Sequence, residues 1–141
     1  MSNKNLIHKE AREKYLELSR DIKTAIMLTN LSSAPIHAIP MSHKDVLDSG
    51  DILFFSKDGS EHNSNIEASA QTQLIYGDSS SKEFLSVYGT TVISKNKELI
   101  DTYYDPLDNN SFENKEDPSL TVLIFSPEEG HYWDTKTNAL V

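Results

Sequence analysis

The sequence predicts a mainly β fold with flanking helices, an antiparallel barrel of seven short strands. Three observations carry that expectation. Short apolar stretches recur along the chain, each bounded by Gly, Pro, Asn, Asp or Ser. Most connections between them are too short for the crossovers that parallel pairing needs. In the longest stretch, Glu83–Ser94, both alternating faces are partly apolar, as in a barrel wall that also meets a partner.

The elements follow in order. From Leu6 to Ile22 the positions Ile7, Ala11, Leu18 and Ile22 recur near helical spacing, with Tyr15 alongside and charged residues between. This predicts an amphipathic helix, residues 1–22, lying on the barrel. TAIMLTN (Thr24–Asn30) and IHAIPM (Ile36–Met41) read as two strands joined by a tight Ser-Ser turn, with Pro40 placing the second at a sheet edge or near its end. DILFFS (Asp51–Ser56) is the third strand, after the turn Asp48–Gly50. SEHNSNIEASA suits a short helix with Ser60 as N-cap and Ile66 and Ala70 facing inward. TQLIYG and EFLSVYGTTVIS are the next two strands. In the longer one Phe84, Ser86, Tyr88, Thr90 and Val92 share one face, and Leu85, Val87, Gly89, Thr91 and Ile93 the other. NKELIDTYYDP reads as a helix stopped before Pro106, and the acidic, Asn-rich Asp105–Pro118 as a loop. LTVLIFSP and GHYWDT complete a last hairpin, with Glu128, Glu129 and Gly130 near its turn.

Composition narrows the function. A chain of 141 residues fits one domain, 1–141, with a single core. A formal charge of −9 repels phosphate backbones and anionic lipid, which argues against nucleic-acid or membrane-surface binding. Both arginines, Arg12 and Arg20, lie near the N-terminus, so an anion bound further along relies on Lys, His, hydroxyls and backbone N–H groups. The chain contains no cysteine, which fits a reducing compartment and makes the cytoplasm the default. The N-terminus lacks the apolar core of a signal peptide, and no apolar run approaches the ~18–20 residues that span a bilayer, so a soluble, unprocessed protein is expected.

The histidines His8, His37, His43, His62 and His131 form no HExxH and no close pair with a carboxylate at metal-ligand spacing. They read as scattered surface residues, and no metal site is expected. The sequence has no GxSxG elbow and neither of the common glycine-rich phosphate loops. One segment does carry chemistry. FFSKDGSEHNSN (Phe54–Asn65) feeds a strand into a helix start, where free N–H groups and the helix dipole favour an anion such as a phosphate monoester. Ser56 and Ser60 can donate hydroxyl hydrogen bonds, and Lys57 or His62 can add charge. An ordinary turn and N-cap explains the same spacing. Trp133, the single tryptophan, suits either a core position or a stack on a cofactor.

Taken in order, these segments resemble a known family. TAIMLTNLSSAPIHAIPM resembles the first hairpin of the FMN-binding split-barrel, pyridoxamine-phosphate-oxidase-like proteins, and DILFFSKDGSEHNSNIEASAQTQLIYGD their following strand, helix and strand. FLSVYGTTVIS, the helix to YYDP, DPSLTVLIF and HYWD match in order the general stress protein subgroup. The resemblance implies a six-stranded split barrel that forms a homodimer, with FMN in clefts at the dimer interface and phosphate contacts from the second and third strands and the next helix. By position, Ile39, Pro40 and Met41 fall on the second strand, Phe54, Phe55 and Ser56 on the third, Lys57 on the turn, and Ser60 and His62 at the helix start. Trp133 falls on a C-terminal aromatic near the flavin region. Members that hold FMN commonly place Arg where this chain has Ile39 and Lys where it has His62. The resemblance therefore implies a flavin-binding general stress protein, a possible FMN-dependent oxidoreductase acting on a small molecule, with no residue standing out as a general acid or base. The alternative is a split-barrel dimer that has lost tight flavin binding and serves as an interaction module; a deazaflavin or haem ligand is a third.

Overall fold

The computed structural model describes residues 3–134 and 138–140, with side chains from residue 9 to residue 134. Helix α1 spans Asn3–Asp21. Four strands follow: β1 Thr24–Thr29, β2 His37–Ser42, the two-residue β3 Asp45–Val46, and β4 Ile52–Lys57. Helix α2, Glu61–Ala68, leads into β5 Gln71–Asp78 and β6 Glu83–Ser94. Helix α3, Lys97–Tyr103, and a 3-10 turn at Pro106–Asn110 precede β7 Leu120–Trp133 and β8 Asn138–Leu140.

All pairings are antiparallel and run β2-β1-β5-β6-β7-β4-β3, with β8 added beside β7. The sheet curls around its own apolar face, as the sequence predicts. Met27, Phe54, Leu74, Tyr76, Leu85 and Phe125 are fully buried there, each an inward position of its strand. Burying side chains of this size contributes roughly 1.5–3 kcal/mol apiece. Helix α1 adds Tyr15 and Leu18 to the same core, and the Tyr15 hydroxyl donates to Gly50 O at 2.7 Å. Its Lys14 reaches Glu83 and Asp134, both at 3.4 Å. A second cluster of Ile100, Phe112, Leu120 and Val122, flanked by Phe55 and Tyr104, seats α3 and the following segment against β4 and β7.

Several expectations need correction. The last hairpin does not form: β7 continues through Glu128–Gly130, because the long β6 pairs with it from Phe84↔Trp133 to Ser94↔Val122. Glu128 is the extra residue of a bulge, between the pairs Tyr88↔Glu129 and Gly89↔Pro127. The bulge brings Ser126 O so close to Gly89 that a Cβ there would lie 2.1 Å from it. Thr135 lies outside the described residues. The turn after β1 is not tight, since Asn30 enters the left-handed region (φ 55) and pairing resumes only at Thr29↔His37. Helix α2 ends at Ala68 on the Ser69 cap, so Ala70 is exposed while Ile66 is buried. The Asp105–Pro118 loop contains the 3-10 turn, whose Asp105 and Asp108 form a reciprocal cap. Strands β3 and β8 are too short to leave a periodic signal.

On β6 the two faces separate as predicted: Leu85, Val87, Gly89 and Thr91 are buried, whereas Phe84 and Val92 are 40% and 57% exposed. Ile26 and Ile75, cross-strand neighbours on β1 and β5, extend this outward apolar face.

Candidate functional site at the corner between β2 and α2

After β4 the chain turns at Gly59 in the left-handed region (φ 82), and Ser60 N closes the turn on Lys57 O at 3.2 Å. Ser60 then caps α2, its Oγ accepting from Asn63 N–H at 3.3 Å. The N–H groups of Glu61 and His62, the first two helical residues, have no carbonyl partner within the helix. The helix is held in place from below. Asn63, fully buried, donates through Nδ2 to Thr121 Oγ1 at 3.0 Å, and Thr121 Oγ1 lies 2.6 Å from Ser56 Oγ. Asn65 Nδ2 donates to Thr29 Oγ1 on β1 at 3.0 Å.

The start of β2 meets the start of α2. His37 Nδ1 lies 2.7 Å from Glu61 Oε2, and the His37 and His62 rings stack with centroids 6.3 Å apart and 15° between planes. His62 Nε2 is 3.2 Å from Ser60 Oγ. His37 Nε2 is buried and has no hydrogen-bond partner. Burial is the main cause holding the His62 pKa below its ordinary value; neighbouring His37 adds to the effect and Glu61 opposes it. His62 is therefore neutral near pH 7 in the resting corner.

Of the positions singled out in the sequence, Ser60 and His62 come together here. Ile39 and Met41 pack on the core from the same side of β2 as His37, whereas Pro40 faces outward. Phe54 is fully buried, with the half-buried His43 ring edge-on at 6.5 Å. Phe55 faces the second cluster, 6.4 Å from Phe112. Ser56 is buried and its hydroxyl is engaged by Thr121. The Lys57 Nζ lies over Phe112, 5.9 Å from its centroid, rather than at the helix start. Trp133 is 38% exposed, stacked on His131 at 5.9 Å and paired with Phe84 at one end of β6; the chain leaving α2 meets β6 near the other end, where Thr91 N donates to Ala70 O.

The histidines are not uniformly superficial, which corrects the sequence reading. His37, His43 and His62 are each partly buried and partnered, His43 through Tyr76 OH at 3.3 Å. Sequence reasoning read His37 as a scattered surface histidine and gave Glu61 no role. The signal was present, because His37 shares strand parity with Ile39 and Met41 and so must point inward.

On the outer sheet face, Gln73, Ser86, Tyr88, Glu129 and His131 line a cleft of about 310 Å³. Among the described residues no group of three or more His, Asp or Glu could hold a metal ion, and no helix is long and apolar enough to cross a membrane.

As a phosphate site the corner offers the right donors and few fixed charges. Two open N–H groups and the Ser60 hydroxyl suit an oxyanion. The Glu61 carboxylate repels one, and the neutral His62 does not attract one.

The family and the fold are shared with known proteins. The family described as Pyridoxamine 5'-phosphate oxidase like matches residues 10–141. No curated protein matches the chain. Among solved structures, the protein related to general stress protein 26 of B. subtilis from Clostridium acetobutylicum superimposes with TM-score 0.79 at 16% identity, covering 94% of each chain. General Stress Protein 26 from Bacillus anthracis gives 0.78 at 15% identity, covering 93% of this chain and 98% of its own. The general stress FMN/FAD binding protein from Xanthomonas citri gives 0.77 at 21% identity, covering 94% of each.

Proposed function

This chain belongs to the pyridoxamine 5'-phosphate oxidase-like family, and from that premise we propose that it is a cytoplasmic, homodimeric flavin-binding protein of the general stress type that holds FMN at the corner between β2 and α2. The observation that carries the reading is the start of α2, where Ser60 and two open N–H groups stand beside β2 in the sheet common to this family. Ser60, His62 and the backbone of Glu61 and His62 would contact the phosphate. Ile39, Pro40 and Met41 would flank the flavin from β2. Phe54 and Ser56 support the corner from beneath, and Phe55 and Lys57 brace the adjoining turn.

Trp133 and the α2 start lie toward opposite ends of β6, so a flavin touching both would draw Trp133 from a second copy. The exposed Ile26, Ile75, Phe84 and Val92 give that second copy an apolar face to cover. Bound FMN would supply the electron transfer toward a small molecule; the chain orients it and excludes water.

A second reading is favoured by one specific feature, the Glu61 carboxylate and neutral His62 where a phosphate needs cations. It is a dimer of the same fold that serves as a non-catalytic binding module. Titration with FMN, followed by flavin fluorescence and visible absorbance, separates the two. Saturation in the micromolar range supports the first reading, and no saturation at high micromolar FMN supports the second.

A further inference from the structure

We propose that the phosphate corner is proton-operated: the His37–His62 pair holds a phosphate monoester only together with a proton, so affinity for FMN rises as pH falls through neutrality. The inference rests on the flavin reading above and concerns how that site is regulated. It starts from the two stacked rings and the atoms they engage.

His37 Nδ1 faces Glu61 Oε2 at 2.7 Å and therefore carries a hydrogen. Its Nε2 is then a lone-pair acceptor in the neutral ring and a donor only in the imidazolium. Protonation at the buried, unpartnered Nε2 turns the ring into a cation stacked 6.3 Å from His62 beside the start of α2, where its charge offsets that of Glu61 and attracts a phosphate dianion. His62 works through Ser60. Whichever tautomer the neutral ring adopts, the imidazolium of His62 carries a hydrogen on Nε2, 3.2 Å from Ser60 Oγ, and adds the positive charge a phosphate needs. The Ser60 oxygen then accepts from both His62 and Asn63 N–H, and the hydroxyl hydrogen is free for an incoming oxyanion.

Among the described residues no other charge substitutes for this proton. On α2 itself Glu61 faces the pair, and from β2 only His37 does. Strand β1 has no ionisable side chain. On β6 the ionisable residues are Glu83, held by Lys14 beside α1, and Tyr88, on the outer cleft. On the preceding turn Lys57 is directed to Phe112, and Asp58 is paired with Lys95 at 3.5 Å. The proton comes from solvent when FMN is a dianion and is already on the phosphate near its second pKa of about 6. Uptake is thus one proton per FMN on the alkaline side and falls away in acid.

The test is calorimetric titration of the full chain with FMN, and with riboflavin as the phosphate-free probe, at about pH 8 and pH 6 in two buffers of different ionisation enthalpy. We expect FMN to bind about thirtyfold more tightly at the lower pH, with about one proton taken up per FMN at the higher. Riboflavin shows no such dependence, and His62→Gln flattens it for FMN. Because the proton count is read on the unaltered chain, a variant that misfolds does not remove the test. FMN binding that is equally tight at both pH values, with no proton uptake, overturns the proposal and leaves the flavin reading standing. If FMN binds at neither pH the flavin reading falls, and inorganic phosphate becomes the probe. A phosphate-dependent rise in the His62 titration midpoint, read from ring-proton resonances, then sustains the proton coupling, and an unchanged midpoint overturns it.

Discussion

His62 occupies the position where a fixed cation would make phosphate binding independent of pH. Burial, together with its neighbour His37, holds it neutral instead. His62→Lys restores a permanent charge beside Ser60, and one charge-assisted contact is worth roughly 1.5–3 kcal/mol. Affinity for FMN at about pH 8 should therefore rise by about ten- to a hundredfold, measured by fluorescence titration. An unchanged affinity would mean that the phosphate does not sit at this helix start. Single residues were unevenly legible in the sequence. Ser60 announced itself as an N-cap, and the structure bears that out. The pairing of His37 with Glu61 was invisible, because it joins β2 to α2 across a fold that no local pattern specifies.

At the scale of elements, periodicity located every strand long enough to show it. It failed where two signals competed. Pro127, Glu128, Glu129 and Gly130 look like a turn, yet the register of β6 carries β7 straight through them at the cost of a bulge. Gly89 makes that bulge possible, since a side chain there would meet backbone rather than a movable neighbour. Gly89→Ala should destabilise the fold by at least the ~1–3 kcal/mol typical of overpacking, read as a lower midpoint in urea with an unchanged slope. A variant as stable as the parent would show that β6 and β7 do not approach so closely. The α2 corner takes its position from the pairing of β7 with β4. Thr121 on β7 holds both Asn63 of α2 and Ser56 of β4.

For the whole molecule, the antiparallel barrel was legible because tight connections exclude parallel pairing, whereas the identity of any partner is not written in a single chain. The outward apolar face gives that question a test. Ile75→Glu, at a position 40% exposed and beside Ile26, should shift the protein from dimer to monomer by light scattering while leaving its circular dichroism unchanged. A parent protein that is already monomeric would show that this face does not join two copies.

Stability should also report the histidines. His43 and His62 both have pKa values lowered chiefly by burial. The unfolded chain, with ordinary values near 6.5, therefore binds more protons than the folded one as pH drops below that point. The stability due to the neutral rings is full above about pH 6.5 and is lost as pH falls toward the folded values. The melting temperature should be lower at about pH 5.5 than at pH 7.5, and less so in His62→Gln. A melting temperature that does not fall over this interval would contradict the burial of both rings.

In the proposed reading the corner between β2 and α2 recognises FMN through its phosphate. Parallel titrations of the purified protein with FMN and riboflavin near neutral pH test it most directly, because the two flavins differ only in that group. FMN should saturate the protein in the micromolar range, and riboflavin should bind clearly more weakly. Equal affinities, or no saturation with FMN at high micromolar concentration, would contradict it.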